Sequence, residues 1–310
     1  MRVLEKRSGK NQAIICQSLV TVLLNPTAVR ASELKAEIAE LFLASGSEAR
    51  IVELQQGQDP AEVARAASAR TSIVVAAGGD GTVSRVAAGL VGTPAMLGVL
   101  PIGTLNHFAK DLGLPFDLQK AVAAIAAPRI GSIDVGQVND RVFINNSSIG
   151  VYPNIVEARE ELRRLGHRKW PAFALATLRI LRRYRGLRVR IEVAGRQYSW
   201  RTPFVFVGNN EYELDGIRLG GRTRLDAGGL FTYVAPRLRT RELPMLLARA
   251  LMGRVRQSGT FEIVSASELR IHTHHGRRLR VALDGEIETM QAPLHYRTSP
   301  GALKVILPPA

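Results

Sequence analysis

The sequence is poor in cysteine: Cys16 stands alone in 310 residues, which excludes an internal disulfide and fits a reducing compartment. Aromatic residues make up 5% of it, a low content for a protein that stacks nucleic-acid bases on its side chains. No DNA-reading or RNA-reading motif is recognisable, so no specific nucleic acid is expected as a partner. No stretch approaches the roughly 20 consecutive apolar residues of a membrane-spanning helix. Acidic residues are also short, 27 against 42 basic ones, leaving a net charge of +15. Such an excess suits nucleic acid, an anionic membrane or a phosphorylated substrate, and charge alone does not choose among them. With 46% hydrophobic and 22% charged residues the chain has a globular composition, not a disordered one. Its length is enough for one large domain or two ordinary ones.

The beginning mimics a signal peptide, because Arg2, Lys6, Arg7 and Lys10 precede an apolar run over 13–24. The run ends in a β-branched stretch over 18–24 and the turn pair Asn25-Pro26, with no small-residue cleavage site after it. The reading adopted is a basic tail over 1–17 and then a first strand.

Strands and helices alternate from there. Strands are expected over 19–24, 50–54, 72–77 and 97–100. Helices are expected over 32–44, from Asp59-Pro60 onward, and over 82–90. Asp59 is a good N-cap and Pro60 suits the first helical position. The 72–77 run does not alternate, as in a strand buried on both faces. This is the βαβ pattern of a doubly wound parallel sheet. Past residue 135 the character changes to short strands over 142–145, 187–193, 204–207, 230–234, 260–264, 269–272, 279–283 and 304–307. Helical stretches interrupt them over 155–165, 172–184 and 242–252. The expected fold is an N-terminal α/β domain over 18–136, joined by 300–310, and a mainly antiparallel β-sandwich over 137–299.

Two loops carry the strongest signals. In the first, a buried strand ends in Gly78-Gly79-Asp80-Gly81-Thr82 and a helix follows. Glycines let backbone approach a phosphate closely, and a helix N-terminus offers free N–H groups and partial positive charge. Asp80 is placed to meet a magnesium ion or a ribose or phosphate network. This loop is neither a Walker P-loop nor the dinucleotide fingerprint. In the second, Gly103, Thr104 and Asn106 follow a short apolar strand. Thr104 offers a hydroxyl to a phosphate or caps the next helix, and Asn106 is suited to orient a ligand. Loops at adjacent strand ends form one crevice at the carboxyl edge of an open α/β sheet.

Taken together, Gly78 to Thr82 and Gly103-Thr104-Leu105-Asn106-His107-Phe108-Ala109 resemble the diacylglycerol-kinase catalytic family, which includes bacterial lipid kinases and sphingosine kinases. The likeness spans about residues 18–308. The glycine loop is shared with NAD kinases and phosphofructokinases; the second motif and Leu283-Asp284-Gly285-Glu286 are narrower. The resemblance implies a cleft between the two domains, ATP and Mg2+ as cofactors, and Glu286 as the base toward a lipid hydroxyl with Asp284 beside it. Without the resemblance, Asp-Gly here reads as a hairpin turn. The resemblance further implies a structural magnesium site formed by Leu225, Asp226 and Leu230. The family's usual aspartate is Gly228 here, and one lost carboxylate matters to hard, octahedral magnesium. Ser84-Arg85 replaces the usual Asn-Glu, and His107 replaces an aspartate.

A basic segment lies over 157–190, where eleven Arg or Lys face three Glu. Trp170, Phe173, Leu175, Leu178 and Leu181 are interleaved. It reads equally as a helix lying on an anionic bilayer and as one packed on its own domain with a solvated face. His272, His274 and His275 have no spaced cysteine or carboxylate to make a transition-metal site.

The expectation is a cytoplasmic, peripherally membrane-associated enzyme that transfers phosphate from ATP to a hydroxyl of a diacylglycerol-like lipid at an anionic surface. An NAD kinase-like phosphotransferase, a catalytically degenerate nucleotide- or lipid-binding protein, and a general nucleic-acid binder stay open. A homodimer is compatible with the sequence, which does not specify an oligomeric state.

Overall fold

The computed structural model describes residues 19–25, 31–164, 186–213, 220–236, 261–274 and 278–309, with 180, 184, 238 and 242 singly. The expected helices over 172–184 and 242–252, most of the basic segment and His275 lie outside these residues.

The first half is built from β1 (Leu19–Leu24), α1 (Ala31–Ala44), β2 (Glu48–Glu53), α2 (Pro60–Ser68), β3 (Ile73–Gly78), α3 (Asp80–Leu90), β4 (Met96–Pro101), α4 (His107–Asp111) and α5 (Leu118–Ala126). Every residue of β3 is buried, as its unbroken apolar run requires. The Asp59 side chain caps α2 by accepting the Ala61 N–H at 2.9 Å, with Pro60 in the first turn. The strands pair in parallel in the order β2-β1-β3-β4. The order reverses between β1 and β3, so their carboxyl ends open a crevice. One apolar cluster holds Val74, Val86, Leu90 and Leu97. A second holds Val22, Ile38, Phe42, Val75 and Ile125.

The second half contains β5 (Arg129–Val138), β6 (Arg141–Phe143), β7 (Asn146–Gly150), α6 (Val151–Arg164), β8 (Leu187–Val193), β9 (Arg196–Thr202), β10 (Phe204–Asn209), β11 (Leu230–Val234), β12 (Glu262–Ala266), β13 (Glu268–Thr273), β14 (Arg278–Leu283), β15 (Glu286–Gln291) and β16 (Leu294–Leu307). Six strands form an antiparallel sheet in the order β12-β11-β10-β7-β14-β15. It packs on a layer that includes β8, β13 and β16, around Phe143, Ile149, Val205, Ile271, Val281 and Tyr296. The fold is therefore the expected α/β domain with a parallel sheet followed by an antiparallel β-sandwich.

The two parts share a strand. The 14-residue β16 pairs antiparallel with β13 at one end and parallel with β4, at Val305 and Leu97, at the other. Its Tyr296 is in the sandwich core and its Leu303 and Val305 are in the α/β core. The strand expected over 142–145 is interrupted between β6 and β7. There the N–H groups of Ile144 and Asn145 point to the carboxylate of Asp284 rather than to a neighbouring strand.

Candidate functional site

Asp284 and Gly285 join β14 to β15 as a two-residue turn, both with positive φ (48° and 91°). This is the hairpin geometry for which Asp-Gly is suited. Sequence analysis placed Asp284 beside the base; the structure makes it the anchor of the turn instead. Its Oδ1 accepts the N–H groups of Asn145 and Asn146 at 2.8 and 2.9 Å, and its Oδ2 accepts that of Ile144 at 2.9 Å. The Ser84 hydroxyl donates to the same Oδ2. Enclosure pushes this carboxyl above its ordinary range, against the pull of Ser84 and the three N–H groups. With four donors satisfied, Asp284 has little capacity left for a ligand.

The turn delivers Glu286 to the glycine loop. Its Oε1 lies 3.3 Å from where a Cβ on Gly81 would stand. Burial pushes the Glu286 carboxyl up; Arg85 pulls it down, while Glu288, Asp284 and Asp59 add to the rise. A carboxylate tuned upward is better suited to accept a proton near neutral pH.

Beside Glu286 the two glycine loops meet. A Cβ on Gly103 would fall 2.3 Å from Gly79 Cα, so position 103 needs glycine for the loops to touch. A Cβ on Gly78 would sit 2.7 Å from the side chain of Thr82. The Asn25 amide donates to Thr82 Oγ1 at 2.7 Å and ties the end of β1 to the loop after β3. The result is a cleft of about 1070 Å³ whose walls include Asn25, Gly78, Gly79, Gly81, Thr82, Gly103, Thr104 and Glu286.

Two expected cleft residues do other work. Asp80 Oδ1 accepts the Phe108 N–H at 3.1 Å and links the glycine loop to α4. Asn106, 6% exposed and left-handed at φ 49°, accepts the Gly103 N–H at 3.1 Å. Its amide donates to the carbonyls of Gly103 and Pro101 at 2.8 and 3.0 Å. Both residues brace the loops from behind and are not among the cleft's lining side chains.

A glycine-lined cleft at a sheet switch point, closed by a glutamate from a β-sandwich, has matches among known proteins. The description "Diacylglycerol kinase catalytic domain" fits residues 19–138, and "YegS C-terminal NAD kinase beta sandwich-like domain" fits residues 148–307. This chain belongs to the YegS-like diacylglycerol kinase family of lipid kinases. It is 30% identical over 243 residues to a Citrobacter koseri protein named "Probable lipid kinase YegS-like", covering 76% of this chain and 78% of that one. A Salmonella arizonae protein named "Probable lipid kinase YegS" is 29% identical over the same length. A solved diacylglycerol kinase structure from Bacillus anthracis superposes with a TM-score of 0.70 at 20% identity, covering 94% of this chain and 97% of that one. At that identity the superposition speaks for the fold.

The magnesium turn implied by resemblance to the lipid kinase family does not fit a metal here. The Leu225 carbonyl already accepts the Asp134 N–H at 2.8 Å. The Asp226 carboxylate is exposed and pairs with Arg224 at 3.1 Å. Leu230 is paired within β11 between β10 and β12. Asp134, 1% exposed, holds the turn instead: its Oδ2 accepts the Gly228 N–H at 2.6 Å and its Oδ1 that of Gly301 at 2.9 Å. Among the described residues no cluster of three or more His, Cys, Asp or Glu is arranged for a metal. His272 lies 3.2 Å from Glu192.

Sequence analysis missed Arg222. Its side chain is fully buried and pairs with Asp111 of α4 at 2.8 Å. It also donates to the carbonyls of Ile144 and Asn209 at 2.7 and 3.0 Å and to Asn145 Oδ1 at 2.7 Å. Tyr212 stacks on it with its ring centre 5.5 Å away; burial pushes the Tyr212 hydroxyl up to about 12. This cation joins the α/β domain to the sandwich just behind Asp284. A lone Arg in an Arg-rich chain gives no sequence signal for it.

Proposed function

We propose that this lipid kinase moves the terminal phosphoryl group of ATP to a hydroxyl of a diacylglycerol-like or related lipid, with Glu286 as the base. The observation that carries the reading is the carboxylate of Glu286 standing over Gly81, in the wall of a cleft also lined by the two apposed glycine loops. Backbone N–H groups of Gly79 and Gly81 and the N-terminus of α3 would hold the phosphates, with Thr104 adding a hydroxyl. ATP supplies the activated phosphoryl group, and magnesium is proposed only as the companion of its phosphates. Such transfer needs mainly positioning, charge neutralisation and a proton acceptor. Glu286 takes the hydroxyl proton; Asp284 holds the turn that aims it; Asn106 and Asp80 keep the loops closed.

The acceptor is proposed to be reached from the surface of an anionic membrane on the cytoplasmic side. The +15 charge and the basic segment over 157–190 support this reading. No helix among the described residues is long and apolar enough to cross a membrane, consistent with peripheral contact.

The test is transfer of label from radiolabelled ATP with magnesium to a panel of lipids in mixed micelles, with NAD alongside. The expected result is a labelled lipid and unlabelled NAD. Labelled NAD moves the assignment to the NAD kinase-like reading, and nucleotide binding without transfer to any acceptor makes the chain a binding protein.

A further inference from the structure

Helix α3 offers two neighbouring polar residues to the strand pair that carries Glu286. Ser84 donates to Asp284, two residues before Glu286. Arg85 reaches Glu288, two residues after it, at 3.9 Å. Residues 286 and 288 lie on one face of β15, as strand alternation dictates. The Arg85 guanidinium also donates to Asp59, the cap of α2, at 2.6 Å. Glu288 is held from its other side by Arg141 of β6 at 2.8 Å. Charges therefore alternate along Asp59, Arg85, Glu288 and Arg141, linking the α2 cap and α3 to β15 and β6.

Apart from Arg141, whose side chain is 54% exposed, these are not loose surface groups. The side chains of Arg85, Asp59 and Glu288 are 25%, 33% and 22% exposed, so solvent screens them less than an open pair. A smaller cavity of about 200 Å³, lined by Arg65, Asp140 and Val142, opens beside the main cleft. Arg85 and Glu286 line both cavities and so form part of the wall between them.

We propose that Arg85 is the positioning residue of this site: by gripping Glu288 and Asp59 it holds β15 against α3 and keeps a positive charge beside the Glu286 carboxylate. The inference rests on Glu286 acting as the base. The family's usual residue at this position is acidic, and its replacement read from sequence as a loss. In the structure the replacement is a cation inside a ring of acids. Arg141 of β6 lines the same cleft, and the groups acting on the Glu286 carboxylate are Arg85 from α3, Asp59 from the α2 cap, Glu288 from β15 and Asp284 from the turn. Of these only Arg85 draws its proton affinity down; burial and the three carboxylates raise it.

The sign follows. Without Arg85, Glu286 holds its proton to higher pH, so the acid limb of kcat moves up. Without Glu288, it loses its proton at lower pH, so the limb moves down. The experiment is kcat and KM against pH for the full chain and its R85Q, R85K and E288Q variants, with melting curves to verify folding. R85Q is expected to raise the acid limb by roughly 0.5–1 pH unit. R85K, which keeps the charge but loses the planar fork, restores the limb while kcat stays several-fold low. E288Q lowers the limb and serves as the independent reading where R85Q folds poorly. Limbs that coincide with wild type in R85Q and E288Q, while E286Q remains inactive, overturn the inference alone. Full turnover by E286Q overturns the base assignment and this inference with it.

Discussion

The Ser84 hydroxyl donates to the Asp284 carboxylate, fastening the helix after the glycine loop to the turn that carries Glu286. One hydrogen bond thus couples the wall proposed to hold the phosphates to the carboxylate proposed to take the proton. Asp284 converts it into a rigid link by also accepting two backbone N–H groups from the break between β6 and β7 and a third from Asn146 at the start of β7.

Removing that link is expected to cost both stability and turnover. D284A leaves three enclosed N–H groups without an acceptor, at roughly 1–3 kcal/mol for each group left unsatisfied. A lower melting temperature and at least a tenfold fall in kcat are expected, measured by thermal unfolding and by lipid phosphorylation. S84A removes one donor of the four and is expected to do less on both counts.

Arg222 makes a second, sharper prediction. R222M leaves the Asp111 carboxylate without its buried partner, a change that typically costs about 3–5 kcal/mol. R222K is not expected to rescue, because one ammonium cannot reproduce the guanidinium's several fixed contacts. Chemical denaturation of the three proteins reads this directly. Equal midpoints for wild type and R222K contradict it.

The turn over 225–230 is tied by Asp134 rather than by an ion. Chelation of divalent metal with EDTA is therefore expected to leave the melting temperature of the nucleotide-free protein unchanged, whereas D134A lowers it. A drop on chelation, reversed by magnesium, contradicts the account of that turn.

The glycine loops make a fourth prediction. A methyl group on Gly103 would sit 2.3 Å from Gly79 Cα, so G103A forces the two loops apart. A displacement near 1 Å at such a site can cost about 100-fold in activity. Calorimetry with a non-hydrolysable ATP analogue is expected to show weakened binding at an unchanged melting temperature, since the strain falls on loops and not on the core.

How much of this was legible in the sequence differs by the kind of signal. The unbroken apolar run of β3 and the three glycines after it carry their own local physics, and both appear where expected. The Asp59-Pro60 helix start is likewise local and correct. The break at Ile144 and Asn145 was not legible, because its cause is a carboxylate about 140 residues later. Strands β5, β7, β9 and β15 were missed: their polar and charged residues obscure alternation, and pairing with distant strands decides their state. Asp80 and Asn106 were recognised as special, but Asp80 bonds to α4 and Asn106 to its own loop rather than to the cleft. Arg85 was read as a missing acid because its partners, Asp59 and Glu288, come together only in three dimensions.

The central claim is that Glu286 accepts the proton of the lipid hydroxyl, and its most direct test is lipid phosphorylation by E286Q against wild type. Glutamine keeps the shape and loses the basicity. The account predicts kcat reduced by about 10²–10⁴, with ATP affinity and melting temperature near wild type. Wild-type turnover by E286Q contradicts it.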